Sequence, residues 1–226
     1  MQLSIVIPAF NEAAIILATL APLQVMRSRG VEVILADGGS TDATAQIAAA
    51  FVDRVVDGDK GRARQMNAGA AVASGDGLLF LHADSTLPEG ADQRILEALD
   101  VSKAAWGRFD VAINGTHPML PVIAWFMNLR SRLTGIATGD QGIFMTRAIF
   151  ERIGGFADQA LMEDIEICRR LKKIDSPVCL REKVITSGRR WEQQGVGRTI
   201  LLMWWLRLRY WMGVSPADIH RAYYGK

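Results

Sequence analysis

The chain has 226 residues, 50% of them hydrophobic and 22% charged, with a formal net charge of +2. That composition excludes a disordered, collagen-like or disulfide-scaffolded protein, and the length suits one large domain or one domain with an appendage. The charge is uneven: residues 187–226 carry +5, all three tyrosines and four of the six tryptophans, which leaves −3 for the remainder.

Met1 leads directly into the strand-like run Leu3–Ile7, closed by Pro8, with no basic stretch or cleavage site ahead of it, so no signal peptide is expected. Asn11 is placed to cap a helix with apolar positions at Ile15, Ile16, Leu20 and Leu23. Val31–Ala36 reads as a second strand, and Ser40 or Thr41 as the cap of an alanine-rich helix through Ala50. Arg54–Val56 follows as a short strand, Arg62–Ala73 as a helix and Gly77–Leu81 as a fourth strand. Strands alternating with helices predict parallel βαβ units in a doubly wound sheet.

Beyond residue 100, Ala104–Ile113 reads as a strand able to run antiparallel, Pro121–Leu133 as an apolar helix, Gly142–Thr146 as a short strand and Met162–Lys173 as a helix. Ser187–Trp191 reads as a loop after a short strand, and Val196–Met212 as a helix mixing tryptophan with arginine. Such a helix suits a membrane interface with anionic lipid, a contact between copies of the chain, or packing on its own core. Cys168 and Cys179 lack partners for a thiolate metal site or a disulfide framework, which fits a reducing, cytoplasmic setting. The longest apolar runs, Met119–Met127 and Ile200–Leu206, fall short of the ~20 residues of a membrane span.

Ligands in open parallel sheets bind beyond the carboxyl ends of the strands. Here those ends carry Pro8-Ala9-Phe10-Asn11-Glu12, Asp37-Gly38-Gly39-Ser40-Thr41-Asp42 and His82-Ala83-Asp84-Ser85. Singly, Glu12 and Asp42 can favour helix N-termini, and Asp37-Gly38-Gly39 can be a plain turn. Their convergence on one edge points to a ligand. Asp37 can accept hydrogen bonds from a nucleobase or ribose, and the glycines admit close backbone approach. Neither GxGxxG nor GxxxxGK[ST] occurs. A diphosphate could instead be neutralised by a divalent cation on Asp84, or by Arg62 and Arg64 at a helix start.

These segments, with Leu79-Phe80-Leu81, Gly154-Gly155-Phe156 and Glu163-Asp164 following in order, resemble family 2 glycosyltransferases of the GT-A fold over about residues 3–175. Within that family the His-Ala-Asp-Ser form resembles small bacterial members linked with arsenosugar biosynthesis. The resemblance implies an α/β, mostly parallel Rossmann-like sheet flanked by helices, with a C-terminal helical extension. Residues 1–186 would form the GT-A domain, 1–100 its nucleotide-binding half and 101–186 its acceptor half, with 187–226 a basic aromatic tail.

It further implies an inverting transfer from a nucleotide-diphospho-sugar to an acceptor hydroxyl. Pro8, Ala9, Phe10, Glu12, Asp37, Gly38, Arg62, Arg64, His82, Ala83 and Asp84 would bind the nucleotide-sugar. Asp84 would hold the divalent cation, Mn or Mg, and Asp164 would be the base. Asp140, Gln141, Glu163, Arg190 and Trp191 would face acceptor or sugar. One departure stands out: histidine replaces the leading carboxylate of the family's Asp-x-Asp, and neutral imidazole suits Mn better than Mg.

Two other classes compete. A nucleotidyltransferase would need a glycine-rich loop with a catalytic Lys or Arg after the first strand, where Pro8–Glu12 stand instead. A nucleic-acid or membrane-binding module could use the basic tail, but the acidic body opposes phosphate-backbone tracking, so no nucleic acid is expected. The tail, residues 195–224, would meet a membrane surface or a second copy, making the protein cytoplasmic and able to sit peripherally on the inner membrane face.

Overall fold

The computed structural model describes residues 1–101 and 104–225. Its first half runs β1 (Leu3–Ala9), α1 (Ile16–Arg27), β2 (Glu32–Asp37), α2 (Thr44–Ala48), β3 (Arg54–Asp57), α3 (Arg62–Val72), β4 (Gly77–Phe80), β5 (Ser85–Thr86) and α4 (Ala91–Leu96), which continues as a π turn through Val101. The second half runs β6 (Trp106–Asn114), α5 (Leu120–Thr134), a 3-10 turn (Gly139–Gln141), β7 (Ile143–Thr146), α6 (Arg147–Arg152), α7 (Glu163–Leu171), β8 (Val178–Ser187), α8 (Arg189–Gln194), α9 (Val196–Trp211) and α10 (Pro216–Tyr224).

The strands form one eight-stranded sheet in the order β3-β2-β1-β4-β7-β6-β8-β5. The nucleotide-side half, β3 to β4, is parallel, as the alternating pattern predicts. β7 then pairs antiparallel with both β4 and β6, while β6 runs parallel to β8 across a bulge at Phe109/Asp110. The antiparallel expectation for the sixth strand therefore holds toward β7 and fails toward β8.

β1 and β2 are buried along their whole length because helices cover both faces. Ile5, Ile7, Val33 and Leu35 pack with Leu20 of α1 and Ile95 of α4, whereas Val6, Ile34 and Leu78 face Met66 of α3 and Leu171 of α7. A Cβ on Gly69 would lie 2.4 Å from Val6 Cγ1, so glycine there lets α3 settle onto the sheet.

Two helix starts differ from expectation. Asn11 does not cap α1. It adopts φ 55°, and its Oδ1 accepts the Thr41 N–H at 2.8 Å, tying the first strand-end loop to the second. Nor do Ser40 and Thr41 cap α2, which is shorter than expected: Ser40 turns back to Asp37, and Asp42 accepts the Thr44 N–H at 3.0 Å.

After β8, longer than expected at ten residues, the Ser187–Trp191 segment enters helix α8 instead of forming a loop. α9 and α10 then fold as a hairpin onto the body. Leu206 and Ile219, both fully buried, pack with Leu161, Met162 and Ile165 around the start of α7. Val196 packs with Leu120 and Ile123 of α5. The inner side of the tail is thus part of the chain's own core. Among the described residues no helix is long and apolar enough to cross a membrane.

Candidate active site

The carboxyl ends of the parallel strands β1, β2 and β4 share one edge of the sheet, the candidate crevice, which the 3-10 turn meets through Asp140 and which α7 and α10 approach around Arg62. At its nucleotide end Asp37, 4% exposed, accepts the N–H groups of Gly39 and Ser40 at 3.1 and 2.8 Å and the Ser40 hydroxyl at 2.5 Å. An ionised carboxylate has about four acceptor sites, so one remains for a ligand. Gln65 of α3, also buried, donates from Nε2 to the carbonyls of Ala9 and Ala36 at 2.6 and 2.9 Å. A Cβ on Gly38 would lie 2.9 Å from Gln65 Cδ, which explains the glycine by packing. Pro8 and Ala9 are buried strand residues, and Phe10 lies under the Lys60 ammonium at 3.9 Å.

Deeper in, burial and then the neighbouring Asp84 carboxylate raise Glu12 above the ordinary range. Ala83 is buried, and its carbonyl accepts the Thr19 hydroxyl at 2.6 Å. Asp84 itself takes one long hydrogen bond, from Ser85 at 3.4 Å. Among the described residues no three His, Cys, Asp or Glu side chains gather around a common point to hold a metal ion. A single available carboxylate beside Glu12 fits a cation that takes its other ligands from a diphosphate and water.

His82 is committed elsewhere. Its Nδ1 lies 3.2 Å from Asp140 Oδ1, and a Cβ on Gly139 would lie 2.1 Å from its Nε2. Burial works against both charges, yet the pairing raises His82 and, with Arg62 and Thr186, lowers Asp140. The half-buried His82 ring therefore serves Asp140 in this arrangement.

Arg62 and Arg64, adjacent in expectation, part company. Arg62 Nε reaches Glu163 Oε1 at 3.4 Å and sits near Asp164, whereas Arg64 pairs with Asp158 through Nε and Nη2 at 2.8 and 3.0 Å, away from the crevice. Alternate helix positions explain the split. Asp164 Oδ2 accepts the Gly139 N–H at 3.1 Å, and Oδ1 accepts the Ile165 N–H at 2.7 Å. Burial and the adjacent Glu163 push Asp164 up to about 6, against the pull of Arg62 and the two N–H groups.

Two acceptor-side assignments are corrected. Gln141 is fully buried and spent on structure: its Nε2 donates to Ser131 Oγ at 3.0 Å, and its Oε1 accepts the Thr138 N–H at 3.2 Å. Trp191 packs with Leu120, Ile123 and Val196, an apolar cluster. Arg190 stacks 3.7 Å from the ring centroid of Tyr223, whose hydroxyl is close enough to feel Arg62 and Asp140.

Gln65, Arg130 and Tyr223 were not anticipated. Arg130 of α5 lies near Asp164 with Nε and Nη2 buried and unpartnered, and burial lowers its pKa. α10 had a readable signal, Ser215-Pro216-Ala217-Asp218, and Ser215 does accept the Asp218 N–H at 3.1 Å. For Gln65 and Arg130 no local pattern exists, because the carbonyls that Gln65 bonds and the Asp164 that Arg130 lies near are far away in the chain.

Comparison with known proteins agrees with this fold. The family model for glycosyl transferase family 2 matches residues 4–154, and the chain belongs to that family. The PGL/p-HBAD biosynthesis glycosyltransferase of Mycobacterium tuberculosis (strain ATCC 25177 / H37Ra) is 41% identical over 93 residues, 38% of this chain and 36% of that protein. The probable glycosyltransferase YdaM of Bacillus subtilis (strain 168) is 27% identical over 93% of this chain and 54% of that protein. The chain thus spans between about a third and about half of these relatives' lengths. Among solved structures, S. aureus TarS 1-349 superposes with a TM-score of 0.66 at 17% identity, covering 83% of this chain and 61% of that one. The mannosyltransferase PcManGT from Pyrobaculum calidifontis, in complex with GDP-Man and Mn2+, gives 0.62 at 18% identity, covering 81% and 56%. The fold is accordingly of GT-A type.

Proposed function

We propose that the chain transfers a sugar from a nucleotide-diphospho-sugar to an acceptor hydroxyl, with inversion at the anomeric carbon. The observation that supports this reading is that Asp37 and Asp84 follow strands β2 and β4 on either side of β1, while Arg62 is close enough to both His82 and Asp164 to influence each. The loops Pro8–Glu12 and Asp37–Gly38 would hold the nucleoside, with His82 and Ala83 lining the floor. Asp84 would hold a divalent cation, Mn or Mg, which when bound neutralises charge on the diphosphate. Arg62 meets the departing diphosphate and is kept in place by Glu163.

Asp164 is the base. Its two N–H partners fix the carboxylate while leaving each oxygen able to accept a proton, and a pKa near 6 suits proton abstraction close to neutrality. Asp140, Glu163 and Arg190 surround the space for acceptor or sugar. Residues 1–186 form the transferase unit, 1–100 on the nucleotide side and 101–186 on the acceptor side, with 187–226 a helical tail. Residues 195–224 would dock on a membrane surface or a second copy. The two free thiols fit a cytoplasmic protein, peripheral on the inner membrane face.

Release of nucleoside diphosphate and the anomeric configuration of the product, read by NMR, test this reading. Inversion with loss of transfer in Asp164→Asn supports it. Retention of configuration, or transfer at a comparable rate in that variant, contradicts it.

A further inference from the structure

The outer side of the α9 helix presents Leu201, Trp204, Trp205, Leu208, Trp211 and Met212, spaced three or four apart apart from adjacent pairs, so they form one stripe. Trp204 and Trp211 are 72% and 75% exposed. α5 carries a second outward stripe, Val122, Trp125, Phe126 and Leu133, with Trp125 and Phe126 each 57% exposed. The two helices touch through Leu120, Ile123 and Val196, with Met127 and Ile200 packed around them. Isolated exposed leucines need no explanation, but two adjoining stripes holding four exposed tryptophans do.

Neither helix contains Asp or Glu; together they hold five arginines. Arg132 turns inward to Asp110, and Arg130 is partly buried beside Asp164. Arg198, Arg207 and Arg209 lie along α9, with Arg209 stacked 4.5 Å from the Trp205 ring centroid. The acidic residues flanking α9 are engaged: Glu192 accepts the Thr116 and His117 N–H groups, and Asp218 pairs with Arg221.

We infer that α5 and α9 together form a docking face for a bilayer containing anionic lipid. Exposed tryptophan with arginine and no carboxylate is the chemistry of an interfacial helix: rings enter the headgroup boundary while guanidinium groups meet lipid phosphate. A second copy of the chain fits less well. A two-fold contact of this face with itself would bring arginines together without a carboxylate to oppose them. The inference extends the docking role proposed for residues 195–224, adds α5 to it, and requires no step of sugar transfer.

The test is sedimentation of the full chain with vesicles of phosphatidylcholine alone and of phosphatidylcholine mixed with phosphatidylglycerol, with tryptophan emission followed in parallel. Binding to the anionic vesicles at least about tenfold stronger, weakened by salt and accompanied by a blue shift, is expected. Trp204→Glu with Trp211→Glu, and separately Trp125→Glu, should each lower binding while leaving the melting temperature and donor-induced stabilisation unchanged. Absence of binding to either vesicle, equal binding to both, or a dimer in light scattering that the same substitutions dissociate would overturn the inference. Donor binding is read separately, so failure here leaves the transferase reading standing.

Discussion

The Gly139 N–H donates to Asp164 at 3.1 Å, while the His82 ring lies so close to the same glycine that a Cβ would stand 2.1 Å from Nε2. One backbone position therefore couples the proposed base, Asp164, to the His82–Asp140 pair. Gly139→Ala must displace one or the other. Steady-state kinetics should show kcat lowered by at least about tenfold, equivalent to about 1.4 kcal/mol, since misplacing a catalytic group is costly.

If Asp164 is the proposed base, the acid limb of the pH–rate profile should fall near 6, since it must then be ionised to act and its pKa is raised to about that value. Transfer is lost as pH drops through the limb. Arg130, close to Asp164, favours the carboxylate, so Arg130→Met should move the limb to higher pH. The stability effect has the opposite sign. An acid whose folded pKa is raised destabilises the fold above that pKa, so Asp164→Asn should melt higher than the parent at pH 8 and lose that advantage as pH falls below 6.

Gln65 satisfies two buried carbonyls at the first two strand ends. Gln65→Ala removes the side-chain donor to both, leaving Ala9 only the Gly38 N–H, and should lower stability by about 1–3 kcal/mol in urea denaturation, without the fold changing.

Tyr223 should matter through its ring. Tyr223→Phe preserves the stack under Arg190 and should keep transfer close to the parent, whereas Tyr223→Ala frees Arg190 and should raise KM for donor or acceptor several-fold, about 1 kcal/mol for an exposed to half-buried cation–π contact. Initial-rate kinetics on the pair separates the ring from the hydroxyl.

The parallel half of the sheet was readable from the chain because buried strands such as Leu3–Ala9 and Glu32–Asp37 are nearly unbroken apolar runs, and the residues just after them must line the crevice. That logic singles out Asp37 and Asp84, and the family resemblance adds Asp164 to the proposed site. Local rules failed where a side chain served a distant partner. Asn11 joins a neighbouring loop instead of its own helix, Gln141 fills a buried polar knot, and Arg64 turns to Asp158. The pairing of β6 with β8 depends on a bulge and on chain segments some seventy residues apart. No periodicity encodes such a register.

The most direct measurement is thermal denaturation of the full chain with UDP-, GDP- and dTDP-sugars, each with and without Mn2+. A ligand at 100 times its Kd adds about 2.7 kcal/mol, which for a chain of this size is a rise of about 5–10 °C. At least one nucleotide-sugar should produce that rise in a Mn2+-dependent manner, Asp164→Asn should retain it, and Asp84→Ala should lose the metal-dependent part. No shift with any of the three, in the presence or absence of Mn2+, would contradict the account.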